Sequence, residues 1–579
     1  MDHNYVEVKK ETGKGSLRSS LSPSLLLILP LAFLTLFYFY PLFSVLQLSL
    51  GNGDGLAVFG SVLADEYTRS IVWFTVWQAA LSTLLTLALG LPGAYLLARY
   101  RFRGKQLLRA LTAIPFVMPT VVVAAGFSAL LGPRGWANLG LQQLLGLDAP
   151  PLDVLNSIWA ILLAHMFYNT TIVLRLVGDF WARLDPRVAQ AARTLGASPW
   201  RTLQQVTFPL LAPVIMAAAL LVFIFDFTSF GVILLLGGPQ FATLEVAIYR
   251  ETINFFNLPT AAVLSILQLL FTLGLIVVYT RLAARLTRPI TVCSPTVTQR
   301  DIKGWRDRGL SGLWIAVMLA FLVAPLGALA ARSLTKLDAD RGERGAITTG
   351  ITTTYYRELF VNRRQNFFFA TPIETVGISL RNAGLTVLLS LALGVPAAAS
   401  LARRTRMGSV IDPIIMLPLG TSAVTIGFGF IIAFNQPPLN LRASPLLLPL
   451  AHTLVAFPFV VRSLLPAWQS IRPRLRQGAA VLGASPGRVM REVDLPLVGR
   501  AGTVAAAFAF TISMGEFGAT ALLARPEFPT LPVAIFRFLA RPGALNFGQA
   551  MALSTILMGI VAICMLAIES LRVGNLREF

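Results

Sequence analysis

The chain has 579 residues, of which 55% are hydrophobic and 13% charged, and its mean hydropathy is +0.70. That balance excludes a string of soluble domains and points to a protein that crosses a membrane many times. A net charge of +21 on a soluble chain would suggest nucleic acid, but here Lys and Arg fall in short loops between apolar runs. This is the positive-inside pattern, so membrane lipid is expected as a partner and nucleic acid is not. Cys293 lies in a basic connector and Cys564 in an apolar run, so no structural disulfide or metal-ligand cluster is implied.

In chain order, residues 1–23 form a polar tail carrying Lys9, Lys10, Lys14 and Arg18, and an apolar run over 24–48 follows. That run exceeds the apolar core of a cleaved signal peptide, about 7–15 residues. It is read as a retained first span with the N-terminus inside. Spans near 71–98, 107–131, 157–182, 211–237 and 258–282 complete a first repeat over 24–283. Arg99, Arg101, Arg103, Lys105 and Arg109 follow the second span, Arg183, Arg187, Arg193 and Arg201 the fourth, and Arg281, Arg285 and Arg288 the sixth. The opposite loops carry Asp54, Asp65, Glu66, Asp148 and Asp153.

A basic linker over 284–310 leads to a second repeat over 311–579, with spans near 311–332, 374–402, 410–434, 445–468, 499–524 and 546–571. The outer loop from Thr335 to Pro372 has no apolar periodicity and is read as a surface loop, either disordered or in contact with a partner.

The second half repeats the first. An offset of 287 pairs His165 with His452, Arg175 with Arg462, Trp181 with Trp468, Gly196 with Gly483, Pro209 with Pro496 and Gly231 with Gly518 without a gap. Earlier in each half the offset is 304, pairing Gly90 with Gly394, Pro92 with Pro396 and Arg99 with Arg403. The difference of 17 residues locates a longer loop in the first half, around Gly132 to Asp153. Both halves hold an even number of spans, so the repeats are parallel, about a pseudo-two-fold along the membrane normal. The expected fold is an all-α membrane protein of about 12 transmembrane helices in two six-helix repeats.

One polar stretch occurs in both halves between apolar runs: Gln190-Ala191-Ala192, Gly196-Ala197-Ser198-Pro199 and Val206-Thr207-Phe208-Pro209, then Gln477-Gly478-Ala479, Gly483-Ala484-Ser485-Pro486 and Val493-Asp494-Leu495-Pro496. Gly196 and Gly483 suit the left-handed position that ends a helix, while Ser198-Pro199 and Ser485-Pro486 suit the N-cap and first turn of the next. The second helix is expected to stop before Pro209 and Pro496.

This spacing resembles the Glu-Ala-Ala-x3-Gly-x9-Ile-x-Leu-Pro loop of permease subunits from ATP-binding-cassette importers, with Gln190 and Gln477 at the usual Glu position. The resemblance implies a type I importer permease fold in a prokaryotic plasma (inner) membrane. The implied partners are two ATPase subunits, which dock on the two loops and hold ATP and Mg, and an extracytoplasmic solute-binding protein. This chain itself would bind no cofactor. The chain is most similar to the fused, two-copy thiamine and ferric-iron branch through Leu162–Asn169, Ile512–Gly518 and Phe528–Pro532. A small cationic cargo such as thiamine or ferric iron is implied; the rival reading is an ion-gradient-driven secondary transporter.

Within the spans, Asp226 and Glu516 are the ionisable groups that stand out, and offset 287 pairs Asp226 with Ser513 and Ser229 with Glu516. These four residues either line one central path or lock neighbouring helices. His165 and His452 have no third ligand and are read as interhelical hydrogen-bonding groups. Gly515 to Gly518 and Ala505–Ala507 allow close helix approach, for packing or for a gate. No phosphate loop is present, since Thr12-Gly13-Lys14-Gly15-Ser16 lacks the upstream glycine, and no zinc or serine-nucleophile motif occurs, so an enzyme is not expected.

Overall fold

The computed structural model describes residues 23–51, 55–286, 298–302, 304–336, 350–362, 371–403, 405–435, 437 and 439–574. The N-terminal tail through residue 22, Cys293 and parts of the linker and outer loop lie outside the described residues. With no water in the bilayer, long apolar runs satisfy their backbone as helices. Ten helices are long and apolar enough to span: Leu25–Leu50, Glu66–Arg99, Ile158–Arg183, Pro199–Phe227, Leu258–Leu282, Asp307–Ser333, Glu374–Leu401, Leu447–Ser470, Pro486–Gly515 and Ala544–Ile568. Two bent pairs bring the total to twelve, so the chain is an all-α membrane protein. We number the spans one to twelve, with the bent pairs as three and nine. Leu84 and Leu388, equivalent at offset 304, expose 64% and 66% of their surface, as side chains facing lipid do.

The structure corrects the expected spans in three places. Span three is not one run over 107–131: Lys105–Val117 is followed, after a 108° bend, by Thr120–Leu145. Pro119 forces Met118 out of helical geometry, to φ −67° and ψ 137°. Span nine breaks in the same way, with a 94° bend between Arg406–Gly420 and Ala423–Ala433, next to Pro418.

Spans five and eleven end earlier than 237 and 524. Their helices stop at Phe227 and Gly515, and short helices Gly231–Leu236 and Gly518–Leu523 follow each break.

The third correction concerns the start of these spans, because the helix does not stop before Pro209 or Pro496. A π-helical turn over Leu203–Thr207 and another over Met490–Asp494 carry the chain into each proline. Phe208 N–H bonds the Leu203 carbonyl and Leu495 N–H the Met490 carbonyl, five residues back. The wider turn absorbs the missing proline donor and its ring, which would clash in an α-helix.

Sequence repeats and packing units do not coincide. Span one lies against the second repeat, with Phe37 against Phe430 and Phe434 at 6.2 and 5.6 Å and Tyr38 Oη 2.7 Å from Thr421 Oγ1. Span seven lies against the first repeat, with Trp314 over Gly93, Phe321 6.2 Å from Phe167, and Pro325 packed on Gly126. The first helix of each repeat is therefore exchanged.

The loops also have structure. Within the extra segment of the first half, Trp136–Leu145 is helical, and buried Asn138 closes it by donating to Gly132 and Leu152 carbonyls and accepting from Leu152 N–H. Linker residues Arg300–Asp301 pair with Tyr100–Arg101 as a two-residue parallel ladder. Of the outer loop, Thr354–Arg357 forms a helical turn, which Tyr356 ties to Ser333.

Candidate functional site

Both repeated loops have the local geometry that their residues dictate. Pro186–Thr194 and Pro473–Val481 are helices, followed by Gly196 at φ +89° and Gly483 at φ +80°. Ala197 N–H reaches the Ala192 carbonyl and Ala484 N–H the Ala479 carbonyl, both at 3.0 Å, which satisfies carbonyls at the helix end. Ser198 Oγ accepts from Arg201 N–H and Ser485 Oγ from Arg488 N–H, with Pro199 and Pro486 in the first turn.

Few side chains in these loops are covered. Gln190, Ala191, Gln477 and Gly478 are exposed, and Ala192 and Ala479 are half-buried. Leu195 and Leu482, equivalent at offset 287, are each 88% exposed. Pro209 and Pro496 are exposed where the loop helix enters spans five and eleven.

One side-chain tie to the π turn is present in the second loop and not in the first. Arg476 Nε donates to Asp494 Oδ1 at 2.8 Å, tying the second loop to its π turn, and the first loop has Ala189 and Thr207 at these positions.

Within each repeat a polar stripe from the second helix runs into the bundle. Thr75, Gln78, Ser82 and Thr86 on span two match Ser379, Asn382, Thr386 and Ser390 on span eight, and all are buried. The first pair accepts hydrogen bonds from backbone: Leu244 N–H to Thr75 Oγ1 and Leu531 N–H to Ser379 Oγ. His165 bridges Ser82 (3.0 Å) and Ser229 (2.8 Å), and His452 bridges Ser513 and Thr520 (both 2.8 Å). Both histidines thus join helices within one repeat.

The two carboxylates differ in how they are held. Asp226 accepts at Oδ1 from Asn169 Nδ2 (2.6 Å), and its Oδ2 has no partner. Glu516 caps the helix Gly518–Leu523, accepting from Ala519 N–H, Thr520 N–H and Thr520 Oγ1.

A cavity of about 640 Å³ lies between the repeats. Most of its lining comes from the first repeat, and Phe508 and Met565 come from the second. Phe116, Phe180 and Tyr279 add rings to its wall, and Asp179 and Arg183 bring it to the face that carries the repeated loops. Asp226, Ser229, Ser513 and Glu516 are not among its lining residues. Each of the four is held by hydrogen bonds within the polar cluster of its own repeat.

Where spans five and eleven break, four aromatic rings meet. Phe230 stacks on Phe517 with centroids 5.5 Å apart and planes at 28°. Tyr249 packs on Phe230 and Phe536 on Phe517, each at 5.4 Å. Offset 287 relates Phe230 to Phe517 and Tyr249 to Phe536, so the quartet straddles the pseudo-two-fold axis. A further buried carboxylate, Glu245, lies one helical turn before Tyr249 and accepts from Gln268 Nε2 at 3.2 Å. The sequence reading passed over the stripe, the quartet and Glu245. The two offsets would have found the first two; Glu245 aligns with Pro532 and leaves no repeated signal.

The profile of the family described as "Binding-protein-dependent transport system inner membrane component" matches residues 90–288, a stretch that includes the first repeated loop. The chain is also 30% identical over 271 residues to PhnU of Salmonella paratyphi A (strain ATCC 9150 / SARB42), a permease named for a 2-aminoethylphosphonate transport system. That match covers 46% of this chain and 93% of PhnU. The chain belongs to this permease family. A single-copy permease thus corresponds to about half of it, and longer relatives correspond to nearly all. ThiP of Brucella abortus (strain 2308), a thiamine transport system permease protein, is 28% identical over 537 residues, 92% of each chain. ThiP of Escherichia coli (strain K12) is 28% identical over 496 residues, 82% of this chain and 84% of that one. As a fused, two-copy member of the permease family, the chain is a multi-span transport subunit and not an enzyme.

Proposed function

We propose that this permease forms the translocation path of an ATP-driven importer and that the face carrying the repeated loops, with the N-terminus, is cytoplasmic. Two ATPase subunits, which hold the ATP and Mg, dock on Gln190–Pro199 and Gln477–Pro486. A solute-binding protein delivers cargo to the opposite face.

The observation that carries this reading is the pair of leucines at the loop tips. Leu195 and Leu482 are equivalent, each 88% exposed, and each is held on a Gly-Ala-Ser-Pro turn. An apolar side chain fixed on a rigid polar loop outside the membrane fits a pocket on a partner. Two equivalent tips fit two copies of that partner.

Thiamine is the preferred cargo over ferric iron, because the relatives aligned along most of the chain are named for thiamine transport. The test is reconstitution in proteoliposomes with candidate ATPase and binding-protein partners. ATP on the loop side is expected to drive uptake of labelled thiamine, and Leu195→Glu with Leu482→Glu to lower ATPase association roughly tenfold or more. Uptake driven by a proton or sodium gradient without ATPase would overturn the proposal and favour a secondary transporter.

A further inference from the structure

The ring quartet is more than a seal between helices. It sits on the pseudo-two-fold axis, where any path shared by the two repeats must run. Phe230 and Phe517 each follow directly on a break in a span: the helix ends at Phe227 in one repeat and at Gly515 in the other, and resumes at Gly231 and Gly518. Their rings can separate by local backbone rotation, without unwinding a membrane helix.

Two buried carboxylates lie close to the stacked pair along the chain. Glu516 precedes Phe517 in the chain, and Glu245 lies one turn from Tyr249 on the helix Leu244–Ile253. Both oxygens of Glu516 accept hydrogen bonds as a helix cap, and Glu245, which accepts from Gln268 and Ser422, is the less fully held of the two. Beside it, fully buried Gln268 gives its amide N–H to Glu245 and leaves its own Oε1 without a partner. A buried amide oxygen held against a carboxylate is an unfilled acceptor.

Aromatic faces carry negative potential and attract organic cations, most strongly where water is excluded. Stacked rings also accept a planar ring between them, since each π face stays covered. We propose that the Phe230–Phe517 pair, with Tyr249, Phe536 and Glu245, is a transit binding site for a planar heteroaromatic cation, which replaces the ring–ring stack as it passes. The site deepens the import reading above by naming the solute class that the path selects. It is asymmetric where it matters, because Pro532 stands at the position of Glu245 in the second repeat. The charge contact therefore comes from one repeat and the rings from both.

Thiamine, whose thiazolium ring is a planar heteroaromatic cation, is the probe. In proteoliposomes holding the full complex, Phe230→Leu and Phe517→Leu are expected to raise the half-saturating thiamine concentration for import roughly tenfold, while Phe230→Tyr stays near the wild-type value. Glu245→Gln is expected to act in the same direction as the leucine variants. Leucine variants that import thiamine with unchanged half-saturation would overturn the proposal, and so would a Phe230→Tyr variant as impaired as Phe230→Leu, since shape alone would then matter.

A second measurement does not depend on the ATPase. In the purified full chain carrying Phe517→Trp, thiamine is expected to quench the new indole in a saturable way, and adding Glu245→Gln to weaken that binding roughly tenfold. Absence of saturable quenching would overturn the site even where import succeeds. Saturable quenching together with failed ATP-driven import by the unsubstituted complex would uphold the site and reject the import reading.

Discussion

The tie between Arg476 and Asp494 should make the second loop stiffer than the first. Asp494 lies in the π turn that joins the loop to span eleven, and its side chain is 8% exposed, against 39% for Arg476. A hydrogen bond to a charged group contributes about 1.5–3 kcal/mol, and the partial exposure of Arg476 reduces that through solvent screening to about 1–2 kcal/mol. The guanidinium also lies 6.0 Å above the Trp468 ring, so Arg476→Ala removes two contacts and leaves a buried carboxylate unpaired. Asp494→Asn keeps an acceptor and should cost less. Since about 1.4 kcal/mol is a factor of ten, a coupling of this size predicts amide hydrogen exchange across 473–494 roughly five- to thirtyfold faster once the pair is broken. The first loop, with Ala189 and Thr207 at the matching positions, serves as an internal reference in the same spectrum. A double-mutant cycle isolates the pair from the Trp468 contact. The reasoning is refuted if the cycle gives no coupling, or if 186–207 speeds up as much as 473–494.

The unequal satisfaction of the two buried acids predicts unequal costs. Glu516→Gln replaces an acceptor oxygen facing Ala519 or Thr520 donors and should destabilise by about 2–3 kcal/mol, whereas Asp226→Asn puts its new N–H₂ where Oδ2 has no partner and should cost under about 1 kcal/mol. Thermal unfolding of the detergent-solubilised protein ranks them, and equal losses would count against the capping role. Gly196→Ala and Gly483→Ala meet no atom within 4 Å, so their cost is the left-handed backbone alone, about 1 kcal/mol each. That cost should appear as faster exchange within each loop, with the thermal midpoint of the bundle unmoved. In Gly126→Ala the new Cβ would lie 2.9 Å from the Pro325 carbonyl oxygen, which pushes the exchanged span seven off the first repeat. Its thermal midpoint should fall well below that of Gly140→Ala, where the added methyl meets nothing within 4 Å.

What the sequence made legible is what local physics decides. Hydropathy placed twelve apolar runs because lipid leaves the backbone no other solution, and Gly196, Ser198 and Pro199 declared the loop turn because each suits one backbone position. Pro209 misled because a proline within a helix was read as a stop, and the π turn that accommodates it has no sequence mark of its own. Pro119 and Pro418 carried the opposite signal, a true break, inside runs whose hydropathy did not change. The exchange of spans one and seven was hidden for a further reason: an apolar helix matches either repeat by composition, and only shapes such as Trp314 on Gly93 choose between them.

Comparing the halves recovers much of the rest, with one inversion of the usual argument. Agreement between the halves marks the scaffold: the stripe from Thr75 to Thr86, the histidines, the ring quartet and the loop tips all recur. Disagreement marks the places where one fused chain differs between its halves, as a pair of identical subunits cannot. Asp226 stands against Ser513, Glu245 against Pro532, and Arg476 against Ala189. The first two place a carboxylate in the first repeat, as Glu516 against Ser229 places one in the second, and the third ties down one of the two repeated loops. On the proposal above, a solute on the axis meets rings from both halves and takes its charge contact from Glu245 of the first. Charge selection then belongs to the first repeat, and transferring Glu245 to position 532 in a chain carrying Glu245→Pro should move the charge contact to the opposite side of the axis, with the half-saturating thiamine concentration for import unchanged.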